Sequence, residues 1–228
     1  MRASPAVAGR TVLIAGATST AGLAVASSLA DAGAHVLAVG SNLARLQSVL
    51  AVAPEAVLYE CDLADFDAVT ALAARVSLSH GPIDGLIHLV GGWRGGGGLA
   101  GQTDEDWAFL HAHVVTTLRN TTRAFNAGLL ASTAGRLAIV SSVSVDRPLA
   151  GGANYAAAKS AAETWVRAVG QGFAKAGDIA AAVIFVVGSL DGLETELATR
   201  VTGLWDETAA SANNSRVALA LQAPKPDA

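Results

Sequence analysis

"TVLIAGATSTAGLAVA", residues 11–26, decides the fold: an apolar stretch of strand length, a tight turn bearing Gly16, and a run of small and apolar residues at helical spacing. At a helix N-terminus the unpaired backbone N–H groups and the helix dipole favour an anion, and glycine lets a pyrophosphate approach the main chain. Gly16 and Gly22 fit that use, with Thr18, Ser19 and Thr20 between them as hydroxyl donors. The spacing is glycine, five residues, glycine rather than G-x-G-x-x-G, and by itself it is a weak signal that reads more readily as an ordinary turn from strand to helix.

The neighbouring sequence extends the pattern. "HVLAVG" (35–40) follows the first helix and completes a β-α-β unit. Alternation continues through "LARLQSVLAV" (43–52), "AVLYECD" (56–62), "FDAVTALAARVSL" (66–78) and "IDGLIHLVGG" (83–92). Further strands are predicted at 136–142, 179–187 and 216–222, with long helices at about 104–131 and 153–176. Right-handed crossovers turn such a series into a doubly wound α/β parallel sheet with helices on both faces, and ligands collect at the carboxyl ends of its strands. We therefore expect one domain over 1–228, with residues 1–9 and 223–228 flexible.

Composition narrows the function. Of the 228 residues 52% are hydrophobic and 15% charged, which suits a sheet covered on both faces. A net charge of -4 without a basic block gives no footprint for nucleic acid or an anionic membrane. The longest strongly apolar run, "IAAAVIFVV", is far shorter than the roughly 20 residues of a spanning helix. The single cysteine, Cys61, excludes an internal disulfide and multi-cysteine metal sites, so no metal is expected. These features predict a soluble, cytoplasmic protein acting on a small molecule.

The ends of the strands carry the candidate chemistry. In a dinucleotide fold a carboxylate closing the second strand would hold the adenosine ribose; here Gly40, Ser41 and Asn42 stand instead. Ser41, Asn42 and Arg45 could donate to a 2′-phosphate, which favours NADP without excluding NAD. Asp62 in "CDL" could accept from the adenine amino group or merely cap its loop. The glycine-rich stretch "GGWRGGGGLAG" (91–101) reads as a mobile loop, either solvated or gating substrate. After the fifth strand come Ser142, then Tyr155 and Lys159 on one helix face. A free phenol titrates near 10, but a nearby ammonium stabilises phenolate, so Tyr155 could exchange a proton with a carbonyl or carbinol oxygen. Ser142 would bond the same oxygen, and Lys159 the nicotinamide ribose.

In "AGATSTAG", "CDL", "DGLIHLVGG", the serine and Y-x-x-x-K, with Ser142 thirteen residues before Tyr155, the chain resembles the short-chain dehydrogenase/reductases from about residue 10 to 222. The resemblance implies a seven-stranded sheet, a nicotinamide cofactor, and Ser142, Tyr155 and Lys159 as the catalytic serine, tyrosine and lysine. It also implies cofactor contacts at Leu63, Val90, Gly91 and Gly188, and a homo-oligomer, dimer or tetramer, built on the alanine-rich helices.

Departures from the family pattern cluster near the site. Thr20 replaces the middle glycine, and His88 and Leu89 replace two asparagines. Val114 occupies the place of the asparagine that holds a water in the family's proton relay, with His111 and His113 as candidate substitutes. The "SLDGLETEL" stretch is much shorter than the usual substrate-covering loop, so Trp93 and Arg94 become candidates for part of the wall. Two main readings result: an NAD(P)-dependent oxidoreductase acting on a carbonyl or alcohol, or a dinucleotide-binding protein of weak or no activity that serves as sensor or assembly partner. Lyase or isomerase chemistry with the same tyrosine is a third.

Overall fold

The computed structural model describes residues 5–220. Seven strands form one sheet in the order β3-β2-β1-β4-β5-β6-β7, and every pairing is parallel. They are β1 Thr11–Ala15, β2 His35–Gly40, β3 Val57–Glu60, β4 Gly85–His88, β5 Arg136–Ser142, β6 Ala181–Val187 and β7 Ser215–Ala218. The helices are α1 Thr20–Asp31, α2 Leu43–Leu46, α3 Phe66–His80, α4 Asp104–Leu110, α5 Thr117–Ala131, α6 Ala153–Lys175, α7 Glu194–Thr202 and α8 Ala209–Ala212.

Parallel strands need crossovers, and helices on both faces bury both sides of the sheet; this is why β6 reads as an unbroken apolar run and every residue of β1 and β4 is buried. One core layer packs α1 and α7 on the sheet through Val25, Leu29, Leu197 and Val201. The other packs α3, α5 and α6 through Val69, Leu72, Leu118, Phe125, Ala162 and Val166. The strand order reverses between β1 and β4, where a crevice opens at the strands' carboxyl ends.

Several local devices fix this frame. Asp84 ties strand starts together: its carboxylate accepts from Thr11 N at 2.9 Å and from Ser132 Oγ at 2.6 Å. Arg136, only 3% exposed, donates to the carbonyls of Leu204 and Glu207 and so holds the segment after α7 under the sheet.

Some expectations need correcting. Residues 5–9, expected to be flexible, form a turn with Val7 buried and Gly9 N donating to Gly33 O at 2.8 Å. Residues 1–4 and 223–228 of the expected termini lie outside the described residues, as do the last two of the predicted strand 216–222. The predicted helix 43–52 is α2 followed by a 3-10 turn, Gln47–Ala51. The long helix at 104–131 is interrupted by a π-helical segment, His111–Thr116, in which Thr117 N reaches back to Ala112 O. Among the described residues no helix is long and apolar enough to cross a membrane.

Candidate active site

Two cavities of about 600 Å³ each open at the switch point. Both are lined by Ser19, Leu89, Val90 and Gly91, so they form two halves of one groove across the ends of β1 and β4.

The first half is built on the turn after β1. Gly16 has φ +85°, and a Cβ there would lie 2.9 Å from the Leu89 carbonyl carbon, so a side chain would strain the backbone and push the two strand ends apart. Gly22 serves a different end from the one expected. A Cβ on it would lie 2.6 Å from the carbonyls of Gly16 and Ala17, and it lines neither cavity. Its absent side chain lets α1 start tightly against the turn. Ser19 is the N-cap: its Oγ accepts from Gly22 N at 3.0 Å and donates to Gly16 O at 3.0 Å. Its hydroxyl hydrogen is engaged in the turn, and Ser19 lines both halves while Thr18 and Thr20 each line one.

Ser41, Arg45, Asp62 and Leu63 line the far end of this half. Asn42 is absent from the lining and caps α2, its side-chain oxygen accepting from Arg45 N at 2.9 Å. The carboxylate found near this place belongs to Glu60 on β3, which accepts from Leu43 N at 3.0 Å. Asp62 caps its own loop, accepting from Ala64 N at 2.9 Å, while lining the cavity. Buried Asn120, a residue without a sequence signal, supports that loop by donating to the carbonyls of Leu63 and Ala64.

The second half gathers Ser142, Tyr155 and Lys159 with Thr20, His88, Trp93 and Gly188. The end of β5 delivers Ser142, and the first turns of α6 deliver the other two. Ser142 Oγ donates to Ser144 Oγ and accepts from Ser144 N, both at 3.1 Å. Lys159 is 8% exposed; its Nζ donates to Val140 O at 2.8 Å and lies 5.8 Å from the centre of the Tyr155 ring. The expected lowering of the phenol does not appear. Burial pushes the Tyr155 phenol up and the Ser142 hydroxyl opposes this, while Lys159 is directed at a backbone carbonyl. Burial likewise lowers Lys159 to about 8, against the pull of the Glu163 carboxylate.

Glu163 is the other residue that sequence reasoning missed. It stands one turn after Lys159 on α6 and is wholly buried. It accepts from Ser141 Oγ at 2.7 Å, Arg167 at 2.7 Å and Arg216 Nε at 3.1 Å, and Arg216 also pairs with Asp146 at 2.8 Å. Its signal was a lone acid on the apolar face of an alanine-rich helix, four residues beyond the lysine.

The remaining candidates separate. Trp93 lines the second half although it is 60% exposed. Arg94 does not: its guanidinium lies 4.0 Å over the Phe109 ring, 3.9 Å from Asp106. Val114 is buried in the α5/α6 layer. Neither proposed substitute for it lines the cavity holding Lys159. His113 stacks on Phe109 at 4.1 Å and faces the other half, and His111 packs at 5.8 Å from Trp107. The glycine stretch is pinned rather than loose: Gly96 N donates to Gly151 O at 2.7 Å. Gln102 Nε2 donates to the carbonyls of Gly96, Gly98 and Gly151, and its Oε1 accepts from Asn154 N at 3.0 Å. Of the short "SLDGLETEL" stretch, Ser189, Leu190, Asp191 and Glu194 line one wall, and from Glu194 onward the chain is α7, packed on α1.

Comparison with known proteins accords with this arrangement. The sequence profile described as short chain dehydrogenase matches residues 10–202. The 2,3-dihydro-2,3-dihydroxybenzoate dehydrogenase of Bacillus subtilis (strain 168) is 30% identical over 168 residues, 72% of this chain and 64% of the relative. A 3beta-hydroxysteroid dehydrogenase of Mediterraneibacter gnavus is 31% identical over 170 residues, 73% of this chain and 61% of the relative. The chain thus spans somewhat less than two thirds of the length of these relatives. In fold it is similar to a metagenomic short-chain oxidoreductase solved in complex with NADP, with TM-score 0.80 and 24% identity over 95% of this chain and all of that one. With the ordered motifs, the seven-stranded sheet and the profile match in agreement, the chain belongs to the short-chain dehydrogenase family.

Proposed function

We propose that the protein is an NAD(P)-dependent oxidoreductase that interconverts a small-molecule carbonyl and alcohol, with NADP the favoured cofactor. The observation that carries this reading is the convergence of Ser142, Tyr155 and Lys159 in one half of a groove whose other half is a glycine-shaped cradle at a helix start. The cradle fits a dinucleotide. Gly16, at φ +85°, makes the tight turn that sets the end of β1 against Leu89, the first turn of α1 presents backbone N–H groups, and the groove has two compartments of similar size.

Gly16, Thr18, Ser19, Thr20, Val90, Gly91 and Gly188 would hold the dinucleotide, with Ser41, Arg45, Asp62 and Leu63 at its adenosine end. The bound nicotinamide supplies the hydride acceptor or donor. Tyr155 passes a proton to the carbonyl oxygen in reduction or takes one from the alcohol in oxidation. Ser142 leaves Ser144 to bond the same oxygen, and Lys159, bonded to Val140 O and within the field of the Glu163 carboxylate, supplies the positive charge that favours the phenolate once the site is filled.

A binding protein without turnover is the second reading. It is favoured by Val114, which offers no hydrogen bond in the layer beneath Lys159. Titration with NADPH and NADH, followed by a panel of ketones and aldehydes, separates the two. Cofactor oxidation with any member supports the oxidoreductase; tight binding with no oxidation supports the binding protein.

A further inference from the structure

His88 ends β4, and strand alternation puts it on the same face as Leu86, toward the layer containing Val114 and Ala158. It is 3% exposed, and among the described residues its Nε2 is the one buried side-chain nitrogen or oxygen without a hydrogen-bond partner. Burial, helped by the charge of Lys159, holds the imidazole neutral, with its pKa lowered to about 3. Buried polar atoms in native proteins are almost always met by a side chain or an ordered water.

Lys159 has the complementary need. Its ammonium carries three N–H groups, and one is taken by Val140 O at 2.8 Å. His88 and Lys159 line the same cavity of about 600 Å³, and the charge of Lys159 acts on the His88 ring, so a residue with an unpaired acceptor and one with N–H groups to spare are neighbours at one compartment. The other titratable groups around Lys159 are Tyr155 and Glu163 on its own helix and Asp191 and Glu194 on the cavity wall. Arg167 and Arg216 bond Glu163 from behind, and β5 contributes only uncharged groups, Ser142 and the Val140 carbonyl.

We propose that His88 is a positioning residue for Lys159: its Nε2 accepts from one buried water, which in turn accepts an N–H of the Lys159 ammonium. The ring hydrogen then lies on Nδ1. The bridge gives the ammonium a second fixed acceptor besides Val140 O, which both directs it and keeps it charged. No bond to carbon changes in this role. The inference rests on the reading of Lys159 as part of the site, but its test needs no turnover.

The chain has three lysines, Lys159, Lys175 and Lys225, so the full-length protein labelled with 13C at lysine Cε gives three signals to titrate. In the wild type Lys159 should titrate below the 10.5 of a free lysine. His88→Leu, which removes the acceptor without changing charge, should lower that midpoint by about one unit, and His88→Asn, whose amide can hold the water, should keep it within ~0.3 unit. An unchanged midpoint in a folded His88→Leu protein overturns the proposal. Should that variant fail to fold, 15N-histidine spectra of the wild type decide. The His88 Nε2 signal should be that of an unprotonated acceptor and should move at the Lys159 midpoint; a protonated Nε2, or a signal flat through that pH, overturns it. Activity of Tyr155→Phe keeps the two readings apart. If that variant is inactive while His88→Leu leaves Lys159 unchanged, only this inference fails. If it keeps full activity, the proton-transfer reading fails whatever His88 does.

Discussion

Lys159 is a side chain whose burial costs the fold stability. Its pKa, about 8, lies below the 10.5 of a free lysine. Below pH 8 both folded and unfolded chains carry the proton, and the folded state bears the full penalty of a buried ammonium. Between pH 8 and 10.5 the folded state releases the proton first, so stability rises with pH through that window. Lys159→Met should therefore be more stable than the wild type at pH 7, by on the order of 1–3 kcal/mol. Denaturant melts across pH should show that gain shrinking toward pH 10.5. An equal or lower stability at pH 7 would mean that Glu163 and Val140 O already offset the burial. Arg45 gives a second test at this scale, since it is the one cation lining the adenosine end among the described residues. Arg45→Ala should weaken NADPH binding by roughly tenfold and NADH binding much less; equal losses would remove the case for a 2′-phosphate. The sequence made Tyr155, Lys159 and Ser142 legible because their chemistry is tied to spacing. It could not reveal that Tyr155 is raised rather than lowered, because that depends on burial by residues far apart in the chain.

At the level of elements, the strands were legible where burial on both faces makes a central apolar run, as in residues 36–39 of β2, 137–140 of β5 and all of β6. The π-helical segment His111–Thr116 was not. "HAHVVT" carries no proline or glycine to announce a break, and the shift to an i−5 bond arises within a helix packed against α6. Within it His113 faces the first half of the groove and His111 packs near Trp107, so nearness in sequence to Val114 did not bring either one to the cavity that holds Lys159. The glycine stretch taught a similar lesson. Gly97 and Gly98, at φ +64° and +65°, adopt a left-handed conformation that lets the loop fold over Gln102, so its glycines specify one shape. Gln102 joins that loop to the residue before Tyr155, a link of 52 positions that no local pattern contains. Gln102→Ala should free the loop. Limited proteolysis should then cut within 92–101 at least several-fold faster than in the wild type, and KM should rise more than kcat falls. Unchanged cleavage would show that the Gly96–Gly151 bond alone holds the loop.

On the scale of the whole molecule, the sheet order reverses where the groove opens, and the helices that cover one face leave a stripe of small residues outward on α6: Ala157, Ala161, Thr164 and Ala168. Such a surface permits close helix packing between copies, in keeping with the homo-oligomer that the family resemblance implies. Sedimentation equilibrium should give the mass of a dimer or tetramer of the 22.8 kDa chain, and the mass of one chain would contradict it. The overall topology was readable from the alternation of strands and helices; the depth of the site was not, because Glu163, Asn120 and His88 act across layers. The central claim is that this groove moves a proton through Tyr155 as hydride moves to or from a nicotinamide. Its most direct test is kcat/KM of Tyr155→Phe against the wild type on a carbonyl substrate that the wild type reduces, with NADPH binding measured alongside. The account predicts a fall of about 10²–10⁴-fold with NADPH affinity retained; a variant that keeps full activity would contradict it.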